Sequence, residues 1–178
     1  MRTKTILLGI VGCILVCITS CISLESRLSL KKIKDRQSAN IEIPRDLKET
    51  IDNDIQEVSD ESDLEEYCVE KTADYLTFAE HNDISNHKAN CVGYAKLCAS
   101  VYNYLCRKHG YQAYAKPVVG YVYFNESNLC SAISDLAPEY RYFFKDHDFV
   151  EFHTPREVLI EDPTAYDLIG TGLKQTLD

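Results

Sequence analysis

Three residues of this sequence carry side chains that together form a cysteine-based catalytic site in many enzymes: Cys91, His147 and Asp162. The thiolate is the nucleophilic form of cysteine, and an imidazole can accept or hold the thiol proton. A carboxylate beside the imidazole holds the ring in one tautomer and orientation. The three residues are far apart in the sequence, so only the elements that carry them can bring them together.

Cys91 is predicted to lie in the first turn of a helix. Apolar residues recur at helical spacing over residues 92–109, and Gly110 follows at the position where a left-handed residue ends a helix. A thiol at the N-terminus of a helix feels the positive end of the helix dipole, which favours the thiolate. Cys98 and Cys106 lie deeper in the same helix and are expected in the core. A single cysteine is more often a small buried apolar residue than a nucleophile, so Cys91 needs partners.

His147 begins a predicted strand over residues 147–152. Alternation along this strand places the neighbouring Asp148 on the opposite face, so the carboxylate partner of His147 must come from another strand. If a four-residue loop over 153–156 joins this strand to the next, Asp162 lies directly opposite His147. Opposed residues have Cβ atoms about 5 Å apart, which allows an imidazole–carboxylate hydrogen bond. The alternative for Asp162 and Pro163 is an ordinary turn after a strand.

Metal chemistry is the main competing possibility for these residue types. The chain contains five histidines and eight cysteines, but no short pair has the spacing of zinc ligands, so neither a metal nor another cofactor is expected. Cysteine pairing stays open: five cysteines follow residue 21, an odd count, and no disulfide can be assigned. We expect Cys91 to be a free thiol. An acidic stretch over residues 52–66 fits a solvated spacer better than a calcium site.

The N-terminus has the layout of an export signal. Arg2 and Lys4 precede an uncharged apolar run over residues 6–18, which is shorter than the roughly 17–25 residues that a membrane-spanning helix needs. The segment Ile18-Thr19-Ser20-Cys21 resembles the lipobox of bacterial lipoproteins, which implies cleavage after Ser20 and a lipid on Cys21. An ordinary secretory signal is the alternative.

These features predict three parts: a signal peptide over 1–20, a lipid anchor and flexible tether over 21–60, and a folded domain over 61–178. Such a chain would be anchored in the cell envelope through Cys21, facing the periplasm or the cell surface. The formal net charge is −9, and removal of the basic signal makes the chain more acidic. A strongly acidic chain is a poor nucleic-acid binder, so no nucleic-acid partner is expected.

Two predicted helices followed by several strands indicate an α+β fold with an antiparallel sheet. Within it, three segments resemble the transglutaminase-like superfamily of papain-like cysteine enzymes, and the resemblance covers about residues 62–166. The segments are Asn90-Cys91-Val92-Gly93-Tyr94-Ala95, His147-Asp148-Phe149-Val150-Glu151 and Glu161-Asp162-Pro163-Thr164. The chain departs from the family pattern in having no tryptophan.

The resemblance implies a papain-like core in which the catalytic cysteine begins a central helix packed on the sheet. It gives Cys91 the role of nucleophile, His147 that of base and Asp162 that of third member. The expected function is that of an envelope cysteine amidohydrolase or acyltransferase acting on a peptide or protein amide through a thioester. The alternative is a catalytically silent lipoprotein that serves as a binding or structural module. The sequence does not reveal the oligomeric state.

Overall fold

The computed structural model describes residues 28–36, 41–54, 63–124, 127–129, 132, 146–170 and 172–177. These residues form an α+β fold, as the sequence predicts. The helices are α1 (Arg45–Asp54), α2 (Leu64–Tyr75), α3 (Cys91–His109) and α4 (Pro163–Ile169). The strands are β1 (Leu28–Asp35), β2 (Thr77–Phe78), β3 (Lys88–Ala89), β4 (Tyr114–Phe124), β5 (Ser127–Asn128), β6 (His147–His153), β7 (Val158–Glu161) and β8 (Gln175–Leu177).

The main sheet is antiparallel, also as predicted. Its strand order is β1-β4-β6-β7-β8, and the short β5 adds to β4. Every neighbouring pair in this sheet runs antiparallel, whereas β2 and β3 form a separate two-residue parallel pair. Strand β6 therefore lies in the middle of the sheet, between β4 and β7.

Helix α3 is the central helix and packs against β4 and β6. Its residues Leu97 and Val101 are fully buried in one core with Val150 and Phe152 of β6. Phe149, the residue before Val150, belongs to a second core on the other face of the curled sheet. The predicted alternation of β6 is thus confirmed, since neighbouring residues enter different cores.

The predicted tether over residues 21–60 is wrong for the part of it that the structure describes. β1 pairs with β4 along its whole length, and its Leu30 is buried in the second core. α1 buries Leu47 and Ile51 in the first core. Apolar residues are sparse in this segment, but within β1 and within α1 they lie on one face. That face packs against a core formed mainly by other elements.

The predicted signal peptide, the lipidation site Cys21 and the domain boundary near residue 60 lie outside the described residues. Among the helices of the described part, none has the length and apolar character needed to cross a membrane.

Candidate active site

Cys91 is the first residue of α3, where the sequence predicts it. The preceding Asn90 caps the helix: its backbone is extended and its side-chain oxygen accepts a hydrogen bond from the N–H of Val92 at 3.1 Å. The N–H of Cys91 is one of the first four in the helix, which have no acceptor inside it. Cys91 is partly exposed and is a free thiol. The thiol therefore lies at the positive end of a 19-residue helix and within reach of a ligand.

A close contact holds the loop before Cys91 against the helix. Asn82 Oδ1 accepts the backbone N–H of Asn90 at 3.0 Å. The same oxygen lies so near Gly93 that a Cβ there would be only 2.2 Å away. Glycine at position 93 therefore allows Asn82 to reach Asn90 and to fix the entry of the chain into α3.

His147 bridges the other two predicted residues. Its Nε2 donates a hydrogen bond to Asp162 Oδ2 at 2.6 Å. Its ring also interacts with the side chain of Cys91, which helps to raise the pKa of His147. The His147 side chain is 19% exposed and that of Asp162 only 3%. The structure thus brings all three residues together, in the order thiol, imidazole, carboxylate.

The surroundings of His147 favour its protonated form. Burial opposes protonation, but the charge of the Asp162 carboxylate and the hydrogen bond to it outweigh burial, and Cys91 adds to their effect. The pKa of His147 is therefore raised well above its usual range. At neutral pH the site would hold an imidazolium beside Cys91, a setting that stabilises a thiolate.

Asp162 is held by a second set of hydrogen bonds. While Oδ2 accepts from His147, Oδ1 accepts the backbone N–H groups of Thr164 at 2.9 Å and Ala165 at 3.2 Å. Asp162 is thus the N-cap of α4, and Pro163 occupies the favourable first position of that helix. One carboxylate therefore starts a helix and orients the imidazole, and the cap prevents it from turning away from His147.

A tyrosine couples the helix that carries Cys91 to the helix that Asp162 caps. Tyr94, one turn after Cys91, is fully buried. Its hydroxyl donates to Asp167 Oδ2 at 2.7 Å. This contact ties the start of α3 to α4.

The predicted hairpin register is wrong, although the predicted partner is correct. His153 pairs with Val158 and Val150 with Glu161, so Asp162 is not directly opposite His147. It lies diagonally across from His147, beyond the end of β7. The shift keeps every side chain on its predicted face, because the partner is displaced by two residues.

The turn between β6 and β7 explains this register. The observed turn runs from Thr154 to Glu157 and is closed by a backbone hydrogen bond of 3.0 Å between those residues. Pro155 then occupies the second position of the turn, which its ring favours, whereas the predicted loop put it third. The Thr154 hydroxyl also accepts the N–H groups of Arg156 and Glu157. Turn chemistry therefore decided the register.

An ion pair that no sequence pattern predicts lies beside the site. Arg36 binds Asp148, the residue after His147, through Nε–Oδ2 at 2.8 Å and Nη2–Oδ1 at 2.5 Å. Asp148 has no exposed surface. The adjacency of Asp148 to His147 was visible in the sequence, but Arg36 fell in the presumed tether. No local pattern connects two residues more than a hundred positions apart.

The remaining described cysteines do not share the setting of Cys91. Cys68, Cys98 and Cys106 are buried and form no disulfide. Burial raises the pKa of Cys68 and of Cys98 well above the usual range for a thiol. Both stay protonated and inert at neutral pH, as expected of core residues. In the described part of the chain, no cluster of three or more histidine, cysteine or acidic side chains could hold a metal ion.

No family model, curated protein or solved structure matches this chain. Its function is therefore inferred from the geometry of the site itself.

Proposed function

We propose that this protein is a cysteine amidohydrolase or acyltransferase of transglutaminase-like, papain-like architecture, acting on a peptide or protein amide. Cys91 is the nucleophile, His147 the general acid and base, and Asp162 the residue that orients His147. The observation that carries the proposal is that His147 hydrogen-bonds the buried Asp162 and also interacts with the Cys91 side chain. Three residues from separate segments converge at one partly exposed thiol.

The first half of the reaction forms a thioester. The Cys91 thiolate attacks the carbonyl carbon of the amide, and the carbonyl electron pair moves to oxygen. The N–H of Cys91, which has no acceptor within α3, is placed to stabilise this oxyanion. When the C–N bond breaks, the imidazolium of His147 gives its proton to the departing nitrogen. The amine leaves, and the acyl group remains on the Cys91 sulfur.

The second half regenerates the thiolate. Neutral His147 now takes a proton from water, and the hydroxide attacks the thioester carbonyl. The C–S bond breaks, which releases a carboxylic acid and restores the thiolate–imidazolium pair. If an amine takes the place of water, the product is a new amide. We favour hydrolysis, because water needs no second binding pocket.

We also propose that the enzyme is anchored in the bacterial cell envelope through a lipid on Cys21. The support is the Ile18-Thr19-Ser20-Cys21 segment after a short apolar run. Cys21→Ser should release the protein from membranes, whereas mass spectrometry of the wild type should find an acylated Cys21. A mature wild-type chain that begins at another residue contradicts the anchor.

The test of catalysis uses 4-nitrophenyl acetate, an activated acyl donor, with the full-length protein. We expect a burst of nitrophenolate close to one equivalent and an acetyl group on Cys91 that hydroxylamine removes. The burst should disappear in Cys91→Ala and in His147→Ala. His153→Ala is the matched control, because His153 also hydrogen-bonds a buried carboxylate on β6 but lies at the opposite end of the strand.

Two outcomes contradict the proposal. One is acetylation spread evenly over the cysteines, and the other is a burst that His147→Ala leaves unchanged. Either result would favour the alternative of a catalytically silent binding module.

A further inference from the structure

A cavity of about 450 Å³ lies between two helices and the outer strands of the main sheet. Its lining includes Glu66 of α2, Tyr166 of α4, Leu28 of β1 and Gln175 of β8. The two outer strands approach each other because the sheet curls, and Gln175 Oε1 accepts the backbone N–H of Leu30 at 3.1 Å. A cavity of this volume is large enough for a small organic molecule or a long side chain.

Glu161 contributes a buried carboxylate to the wall of this cavity. Along β7, Leu159 enters the first core and Ile160 the second, so Glu161 points to the side of the first core, which α2 shares. The residue is only 4% exposed. Its Oε2 has no hydrogen-bond partner among the described residues. A buried carboxylate oxygen left in this state is costly, and a bound donor would remove that cost.

Gly172 confines this carboxylate. A Cβ at position 172 would lie 2.3 Å from Glu161 Oε1 and 2.7 Å from its Cγ. The backbone of Gly172 is fixed in turn, because its carbonyl accepts the N–H of Asp162 at 2.5 Å. Glycine at this position therefore lets the segment after α4 pack directly on Glu161, which keeps the carboxylate in the wall of the cavity.

The charges around the cavity favour a cation. Its lining contains the carboxylates of Glu66 and Glu161 and one ammonium, that of Lys174. Lys174 Nζ lies 3.8 Å from Oε1 of Glu65, a further buried carboxylate that is not part of the lining. The single positive charge is therefore shared with a third acid, and the surroundings of the cavity remain acidic.

The lining is better suited to an organic cation than to a metal ion. No group of three or more histidine, cysteine or acidic side chains in the described part of the chain could hold a metal ion. Leu28 and Leu173 add apolar surface to the wall, which an alkyl chain can cover and a hydrated ion cannot use. A chain of several methylene groups that ends in a cationic N–H donor fits both parts of the lining.

We propose that this cavity is a binding site for an organic cation, an alkylammonium or alkylguanidinium that donates hydrogen bonds to the Glu161 carboxylate. A lysine or arginine side chain of a partner protein and a free amine share this chemistry. Cys91 is not among the residues that line the cavity. The site is therefore additional to the proposed active site, and the inference does not rest on the proposed function.

The test is calorimetric titration of the full-length protein at pH 8, where Glu161 is mostly ionised because its pKa is about 7. The probes are pentylamine and its neutral counterpart 1-pentanol. Pentylamine should bind at least about tenfold more tightly, since hydrogen bonds to charged groups are worth that much. N-acetyl-lysine methylamide distinguishes the two sources: tighter binding than pentylamine indicates a protein side chain, and weaker binding indicates a free amine.

Three variants locate the bound cation. Glu161→Gln keeps the shape of the side chain and should weaken pentylamine binding by at least about tenfold. Glu151→Gln is the matched control: Glu151 is also a buried carboxylate of the sheet but is already paired with Lys32 and Lys116, so the affinity should not change. Lys174→Gln removes a competing cation and should tighten binding by about twofold to threefold.

Three results would overturn the inference. They are equal affinities for pentylamine and 1-pentanol, an affinity for pentylamine that Glu161→Gln leaves unchanged, and no measurable binding of either cationic probe. The proposed function is tested separately, because Cys91→Ala should bind pentylamine with the wild-type affinity. A loss of binding in Cys91→Ala would place the cation at the active site and would also contradict the inference.

Discussion

Strand β6 carries two histidine–carboxylate pairs, one at each end, that have the same distance and different surroundings. His147 Nε2 lies 2.6 Å from Asp162 Oδ2, and His153 Nε2 lies 2.6 Å from Glu151 Oε1. In both pairs the carboxylate is buried and the histidine is partly exposed. The distance between the partners therefore does not tell a candidate active site from a structural contact.

The two histidines differ in the residues beside them. At one end of β6, the His147 ring interacts with Cys91 at the start of α3. At the other end, the His153 ring stacks on Tyr114, with centroids 4.3 Å apart and planes 9° apart.

The two carboxylates are also held differently. Burial tends to raise the pKa of Glu151, but hydrogen bonds to Lys32 and Lys116 outweigh it and lower that pKa. Asp162 is held instead by backbone N–H groups and leaves its other oxygen for the imidazole. A buried carboxylate surrounded by lysines holds the sheet together, whereas one held by a helix cap remains able to orient a histidine.

The largest effect is expected from Asp162→Asn. Asparagine is as good an N-cap as aspartate, so α4 should stay intact while the charge beside His147 disappears. The pKa of His147 should fall towards its usual range, and alkylation of Cys91 at pH 7 should slow by about 100-fold, or about 3 kcal/mol. Histidine titration by NMR and iodoacetamide kinetics measure the two effects. An unchanged alkylation rate would show that the His147–Asp162 pair is structural, like the His153–Glu151 pair.

Glu151→Gln should lower stability and leave the reactivity of Cys91 unchanged. It leaves Lys32 and Lys116 facing a neutral amide, and breaking such a buried pair should lower the free energy of unfolding by about 2–3 kcal/mol after allowance for the partial exposure of the lysines. Alkylation of Cys91 in the folded protein should keep its wild-type rate. Urea unfolding measures the stability, and a large loss of Cys91 reactivity would contradict the separation of the two ends.

Glu161 is a third buried carboxylate, and few hydrogen bonds or cations compensate for its burial. Its Oε2 has no hydrogen-bond partner in the described structure. Burial, reinforced by neighbouring acids, raises its pKa to about 7. Between its ordinary pKa and 7, Glu161 is protonated in the folded protein and ionised in the unfolded chain. Its contribution to stability is therefore full at low pH and is lost as the pH rises through 7.

Glu161→Gln should therefore stabilise the protein at alkaline pH. The expected gain is about 2 kcal/mol larger at pH 8 than at pH 5, because in the folded protein Glu161 is neutral at pH 5 and ionised at pH 8. Urea unfolding at the two pH values gives the difference. Equal effects of the substitution at pH 5 and pH 8 would show that Glu161 does not titrate in this range.

The smallest effect is expected from His153→Ala. The substitution removes the stack on Tyr114, which is half exposed, and one of several hydrogen bonds to Glu151. Stability should fall by less than about 1 kcal/mol, and Cys91 should alkylate at the wild-type rate. Thermal unfolding and alkylation kinetics check this, and a drop in alkylation similar to that of His147→Ala would remove the contrast between the two histidines.

Much of the site could be predicted because its parts are local. A stretch of about twenty residues contains the apolar period of α3, its end at Gly110 and the position of Cys91. It suffices to predict them because helix geometry and capping depend on near neighbours. The alternation of β6 likewise places each side chain on a face of the sheet. These two facts pointed to Cys91 and His147, whereas Asp162 was reached through an assumed loop length that proved wrong by two residues, an error that leaves each side chain on the same face.

Only the tertiary structure decided how distant segments meet. The register of the hairpin followed the energy of the turn around Pro155 and not a count of residues, although alternation kept Asp162 on the correct face. The entry of β1 and α1 into the fold, and with it the grip of Arg36 on Asp148, depends on pairing between segments far apart in the chain. Such pairing is set by the packing of the whole core, and no short stretch of sequence encodes it.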